Sequence, residues 1–131
     1  LSTIEQTVKE KKVPVIAPLG LDKKNQVYNV NADTAAGAIA KELNARRLII
    51  MSDVEGVLNI DKKLISEIDT EKVNDLINKN IISGGMIPKI KNCLDVASNG
   101  VKGVCIIDGR LNHSILFELL TNAGSGTLIR Q

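Results

Sequence analysis

The stretch "SGGMIPK" (Ser83 to Lys89) places two glycines ahead of an apolar-periodic segment and a lysine one turn inside it. Open backbone N–H groups at a helix start, with an ammonium nearby, suit a phosphate or another oxyanion. A solvated Lys89 on a capped helix is the plainer alternative. The pattern is not a Walker A loop, which needs a longer glycine run closing on Lys-Ser or Lys-Thr. A second polar cluster, "NVNAD" (Asn29 to Asp33), stands between a strand-like "VYN" and the helix-like "TAAGAIAKEL". Asn29 and Asn31 both suit a helix N-cap, and Asp33 suits the first turn, where its charge complements the helix dipole. Capping needs only one asparagine, and a buried second amide requires a hydrogen-bonding partner. A cap and a binding site therefore both remain open readings.

"SDVEGV" sets Ser52 and Asp53 at a strand end with Gly56 after them, which reads as an Asx-type turn or a ligand loop. His113 is the only histidine, and a lone histidine at a helix start is more often a cap or surface residue than a catalyst. "GSGT" near the end precedes a strand rather than a helix, so a tight turn is the default. Cys93 and Cys105 lack metal-ligand spacing and sit among apolar neighbours, as expected for buried free thiols in a reducing cytoplasm.

These groups must be positioned by elements that the periodicity outlines. "STIEQTVKEKK" predicts a first helix, with Ile4 and Val8 on one face and a capping box from Ser2 or Thr3 to Glu5 or Gln6. "VPVIAPLG" predicts a buried strand, "LDKKNQ" a turn and "VYN" a short strand. A helix is expected from about Asn31 to Asn44, then a buried strand in "RRLIIMSD". "VEGVLNIDKKLISEI" reads as a hairpin or an excursion beyond the sheet. "TEKVNDLINKN" and "IPKIKNCLDVASN" read as helices, the second closed by Gly100. "GVCIID" is a further buried strand, "NHSILFELLTN" a helix and "GTLIR" the last strand. Alternating strands and helices imply an α/β fold with a mainly parallel sheet between helical layers, a three-layer α/β/α sandwich. Ligands bind beyond the carboxyl ends of such strands. That rule singles out "NVNAD", "SDVEG" and "DGR".

The chain has 131 residues, 44% hydrophobic and 24% charged, which suffices for one domain spanning 1–131 with a real core. One Phe, one Tyr and no Trp leave the core to Ile, Leu, Val and Ala, and offer no stacking platform for single-stranded nucleic acid. A net charge of +2 with interspersed signs gives no footprint for nucleic acid or an anionic membrane. No apolar run approaches the roughly 18 residues of a spanning helix. The chain opens on Leu1 and Ser2 rather than Met and runs directly into a helical pattern, so a carboxy-terminal piece of a longer protein is expected.

"YNVNAD", "SDVEGVL", "ISGGMIPK" and "HSILFELLTNAGSGTLI" occur in this order, and together they resemble the acetylglutamate kinases of the amino acid kinase family, over essentially the whole chain. The resemblance implies transfer of the γ-phosphoryl of ATP, accompanied by Mg²⁺ held mainly by the phosphates, to the side-chain carboxylate of N-acetyl-L-glutamate in arginine biosynthesis. It implies Lys89 and Asp33 as catalytic, with Lys89 at the transferring phosphoryl and Asp33 organising lysines, and Asn29 and Asn31 as substrate-binding. It further implies a nucleotide pocket from Ser52, Asp53, Val54, Glu55, Gly56, Val57, Leu58, Ile81, Ile82 and Ser83. The final segment is similar to the arginine-inhibited hexameric members, which implies L-arginine as effector at His113, Glu118 and Gly124. The family's amino-terminal half, with its glycine-rich phosphate loop, a further lysine and a substrate-holding arginine, has no counterpart in these residues. The chain alone is therefore expected to be inactive, and a homo-oligomer is expected only of the complete enzyme. The alternative is a non-catalytic module that binds ATP or arginine.

Overall fold

In a computed structural model, residues 1–130 are described. Helix α1 (Ser2–Lys9) buries none of its residues. Strands β1 (Leu19–Leu21) and β2 (Val27–Asn29) form an antiparallel hairpin apart from the main sheet. Then come α2 (Ala32–Glu42), β3 (Leu48–Ser52), β4 (Glu67–Ile68), α3 (Thr70–Asn78), α4 (Met86–Ser98), β5 (Val104–Asp108), α5 (Ser114–Leu120) and β6 (Gly126–Ile129). The main sheet has the order β3-β5-β6-β4. The β3–β5 and β4–β6 pairs are parallel, and β5–β6 is antiparallel. The expected α/β sandwich with a mostly parallel sheet is present, two of its three strand pairs being parallel, while β4 and β6 run opposite to β3 and β5.

Alternation along the strands assigns the two faces. Leu48, Ile50, Val104, Ile106 and Ile129 point into one core with Ile90, Cys93, Val96 and Ala97 of α4. Those four α4 positions recur at helical spacing, and burying each Ile or Val contributes about 1.5–3 kcal/mol. This burial fixes the rotation of α4. Cys105 lies on the other face, where its thiol donates to Glu118 Oε1 of α5 at 3.0 Å. Thr127 of β6 is wholly buried, yet satisfied: it accepts from Val57 N at 2.8 Å and donates to Ile65 O at 2.7 Å. It thereby ties the 57–65 excursion to the sheet.

Three sequence expectations are corrected. "VPVIAPLG" is not a buried strand: Val13 and Val15 are 86% and 95% exposed. Pro14 and Pro18 lack the N–H that a central strand donates, and regular pairing starts only at Leu19. The first helix has no capping box, because Leu1 is the N-cap and no side chain bonds to it. Ser2 and Thr3 are already inside the helix, and Thr7 Oγ1 donates to Thr3 O instead. That helix also ends at Lys9, since Lys11 takes a left-handed φ of 57°. Of the two readings for 54–68, the hairpin-like one holds, with Leu58 bridged to Leu64 and Asn59 Oδ1 accepting from Asp61 N and Lys63 N.

Candidate functional site

Asn31 is the N-cap of α2, its side chain accepting from Thr34 N at 3.1 Å. That sets the helix start and leaves Asp33 in the first turn, facing α4. The two helices approach closely at Gly37, where a Cβ would lie 2.8 Å from Val96 Cγ2 and 3.2 Å from Asn92 Oδ1. Any larger residue there would push α2 away from α4. At this separation Lys89 Nζ donates to Asp33 Oδ2 at 2.6 Å, the two side chains being 21% and 27% exposed. Asn92 Nδ2 donates to the Asp33 carbonyl at 2.9 Å, so the residue is held by backbone and side chain together. Asn31, Asp33, Thr34, Gly85, Pro88, Lys89 and Asn92 line one cleft of about 380 Å³.

Asn29 lies two residues upstream on β2, paired with Leu19, and is not among the residues lining this cleft. Gly84 and Gly85 precede α4 with open space around them, and Pro88, lacking an N–H, stands in the first helical turn. The cleft therefore offers an ammonium beside a helix start, a setting that favours anions. Among the described residues, Asp33 is the only carboxylate lining it.

Beyond the carboxyl ends of the paired strands β3 and β5, Ser52 stands opposite Asp108, and Gly109 N donates to Ser52 O at 2.7 Å. Asp108 is buried and receives a bidentate fork from Arg110, Nε to Oδ1 at 2.9 Å and Nη2 to Oδ2 at 2.7 Å. That fork, with the Arg110 N–H, holds the carboxyl down at about 2. Asp53 and Glu55 add negative charge around the guanidinium and, after Asp108, push its pKa up further. Of the remaining predicted nucleotide residues, Val54, Leu58 and Ile81 are half-buried and Ser83 is exposed. Gly56 is buried, and Val57 and Ile82 give their side chains to the core. A ligand could reach those three only through backbone.

On the opposite face of the sheet, Glu118 is 8% exposed. Its carboxylate accepts from Cys105 Sγ and from Ser125 N at 3.0 Å, and lies 3.5 Å from Arg47 Nη1. Gly124, at φ 68°, closes over it, a Cβ there falling 2.9 Å from Glu118 Oε2. Glu118 and Gly124 share a cavity of about 560 Å³ with Arg47, Glu67 and Arg130 among its walls. His113 stands at the amino end of α5 and is not among the lining residues. Burial pushes the Cys105 thiol up to about 12, with the Glu118 carboxylate adding to it.

Sequence reading missed Asn92 and Arg47; it singled out "DGR" by its place after a strand, though not the fork between Asp108 and Arg110. Asn92 had a usable signal, being three residues after Lys89 and thus on the same helical face. Arg47 had none, because its partner lies 71 residues away. No group of three His, Cys, Asp or Glu side chains able to hold a metal ion occurs among the described residues. Neither does any helix long and apolar enough to cross a membrane.

Residues 1–108 match the sequence model of the amino acid kinase family. The chain is 70% identical over 128 residues to the acetylglutamate kinase of Pelagibacter ubique (strain HTCC1062), covering 98% of this chain and 44% of that protein. It is 48% identical over 131 residues to the acetylglutamate kinase of Bradyrhizobium sp. (strain ORS 278), covering 100% of this chain and 44% of that one. It thus spans under half the length of these relatives. Among solved structures, N-acetylglutamate synthase from Neisseria gonorrhoeae, complexed with coenzyme A and L-arginine, superposes with a TM-score of 0.91 at 22% identity, over 98% of this chain and 30% of that one. The protein smu.665 from Streptococcus mutans UA159 superposes with a TM-score of 0.80 at 35% identity, over 98% and 47%.

Proposed function

As the chain belongs to the amino acid kinase family, we propose that it is the carboxy-terminal, nucleotide-binding part of an acetylglutamate kinase. In that reading the complete cytoplasmic enzyme, a homo-oligomer, moves the γ-phosphoryl of ATP to the side-chain carboxylate of N-acetyl-L-glutamate, and the part alone does not turn over. The observation that carries it is the 2.6 Å contact of Lys89 with Asp33 in the cleft between α2 and α4. Phosphoryl transfer demands positioning and charge stabilisation more than covalent chemistry. Lys89 would place its ammonium where the transferring oxygens gain negative charge, with the amino end of α4 adding to the field. Asp33 would hold that ammonium in place, and Asn29 and Asn31 would face the acceptor substrate. The loops at 52–58 and 81–83 would enclose adenine and ribose.

Mg²⁺ accompanying ATP would neutralise phosphate charge. Asp33 being spent on Lys89, its ligands would be phosphate oxygens and water rather than side chains of this chain. The carboxylate of Glu118, roofed by Gly124, would receive the guanidinium of an inhibitory arginine, His113 contributing from the far end of α5.

A coupled ATPase assay with N-acetyl-L-glutamate tests the division of labour, and robust turnover by these 131 residues would overturn it. In the complete enzyme, Lys89→Ala should lower kcat by about 10²-fold or more. An unchanged kcat would remove Lys89 from the mechanism. Calorimetric titration with ATP and with arginine tests whether the two sites are formed.

A further inference from the structure

A smaller cleft of about 230 Å³ adjoins the Glu118 cavity where the α2–β3 loop, the α4–β5 loop and the end of β6 converge, at the amino ends of β3 and β5. Its lining is Arg46, Arg47, Lys102, Gly103, Leu128 and Arg130. Four of these six residues are cationic and none is acidic, in a chain whose total net charge is +2. Two of the cations already have a carboxylate partner: Arg47 Nη1 is 3.5 Å from Glu118 Oε1 and donates to the Glu118 carbonyl at 3.2 Å, and Arg130 Nε is 3.4 Å from Glu67 Oε1. Arg46 and Lys102 take part in no ion pair among the described residues.

Bringing like charges together from three chain segments raises the free energy of the folded chain unless a counter-charge joins them. We propose that this cleft binds a small multivalent phosphate anion, of the size of inorganic phosphate or diphosphate, and that the anion draws Arg47 away from Glu118. The volume admits a small anion. Three guanidinium forks match tetrahedral oxyanions bidentately, and Lys102 adds a point charge. Nucleic acid is disfavoured by the same observations that disfavour it for the whole chain, a low net charge and two aromatic side chains.

The cleft shares Arg47, Leu128 and Arg130 with the larger cavity around Glu118. Glu118 keeps the Cys105 thiol and the Ser125 N–H when Arg47 turns to the anion. Its negative charge is then open to an incoming guanidinium. Anion and arginine should therefore favour each other's binding. This coupling rests on the arginine reading of the larger cavity, whereas anion binding in the cleft does not.

Titration calorimetry of the chain with sodium diphosphate, at low salt and without divalent cations, is the test. In Lys89→Ala, which removes the ammonium of the α2–α4 cleft, one site is expected, weakened roughly tenfold or more when Arg46→Ala/Lys102→Ala is added, as for losing charge-assisted bonds. Lys79→Ala should leave it within about twofold, since that residue lines neither cleft. Unweakened binding when the double variant is added, or no binding left in Lys89→Ala, overturns the assignment. Arginine Nε–H resonances of the unaltered chain give a second readout that needs no variant. Those of Arg46 and Arg47 should move with diphosphate or phosphate, and unmoved Arg46 and Arg47 resonances, with shifts confined to the backbone amides of 83–89, would refute the site. Arginine should bind more tightly with diphosphate present. Unchanged arginine affinity would refute the Arg47 handover. Diphosphate binding without any arginine binding would leave the anion site standing and remove the effector reading.

Discussion

Asp33→Asn removes a charge while keeping side-chain volume, and leaves Lys89, its side chain one-fifth exposed, without its partner. At contact distance, an effective dielectric of about 20 gives a gross attraction of roughly 4 kcal/mol, much of it offset by desolvation of both groups. Exposed pairs are worth about 0–1 kcal/mol, and breaking a fully buried one costs about 3–5. With side chains 21% and 27% exposed, this pair falls between those limits. We expect a net coupling of about 1–2 kcal/mol. With a urea m-value of about 2 kcal/mol/M, Asp33→Asn should lower the midpoint by roughly 0.5–1 M. The coupling itself is read from a cycle of Asp33→Asn, Lys89→Met and the double variant, followed by circular dichroism in urea. It should shrink at 1 M salt, as part of the pair faces solvent. A coupling below about 0.3 kcal/mol, within the error of additivity, would refute the assignment of Asp33 as the group that holds Lys89.

The two thiols predict a pH dependence. Burial pushes Cys93 and Cys105 up to about 12 in the folded chain, whereas unfolded thiols ionise near about 8.5. Between these values the unfolded chain binds fewer protons, so stability should fall as pH rises from about 8.5, by up to about 1.4 kcal/mol per pH unit per thiol. Urea denaturation at pH 7 and pH 10 checks this, and an unaltered slope in Cys93→Ala/Cys105→Ala would contradict it. Arg110→Ala should raise the Asp108 pKa from about 2, because burial then acts against fewer compensating bonds. Carboxyl ¹³C titration reads the change. Gly124→Ala should cost about 1–2 kcal/mol for the left-handed backbone alone, with the Cβ contact to Glu118 added. A thermal midpoint equal to or above that of the unaltered chain would refute it.

Helices α2 and α4 were legible because apolar spacing, a capping asparagine and a terminal glycine agreed, and tertiary packing left those local preferences in force. The strand expected at "VPVIAPLG" failed because hydrophobicity outweighed the two prolines in the reading, whereas hydrogen bonding decided in the fold. At the cleft, the residue types were readable from "NVNAD" and "SGGMIPK". Their juxtaposition was not, since Lys89 and Asp33 are 56 residues apart and meet only because Gly37 lets two helices close. Arg47 gave no signal for the same reason: an ion pair between distant segments leaves no local period. The reversal of β4 and β6 against β3 and β5 was likewise hidden, as pairing between distant segments leaves no local period.

Strand β6 has two audiences. Thr127 is bonded on one face to Val57 and Ile65, within and beside the loop expected to enclose the nucleotide. Its neighbours Gly126 and Leu128 wall the cavity of Glu118 on the other face. A displacement of this strand by a molecule lodged in that cavity would pull on the Thr127 hydroxyl bonds as well as on the ladders to β4 and β5. The loop at 57–65 and the cavity of Glu118 thus lie a sheet's thickness apart, joined through three consecutive residues of one strand.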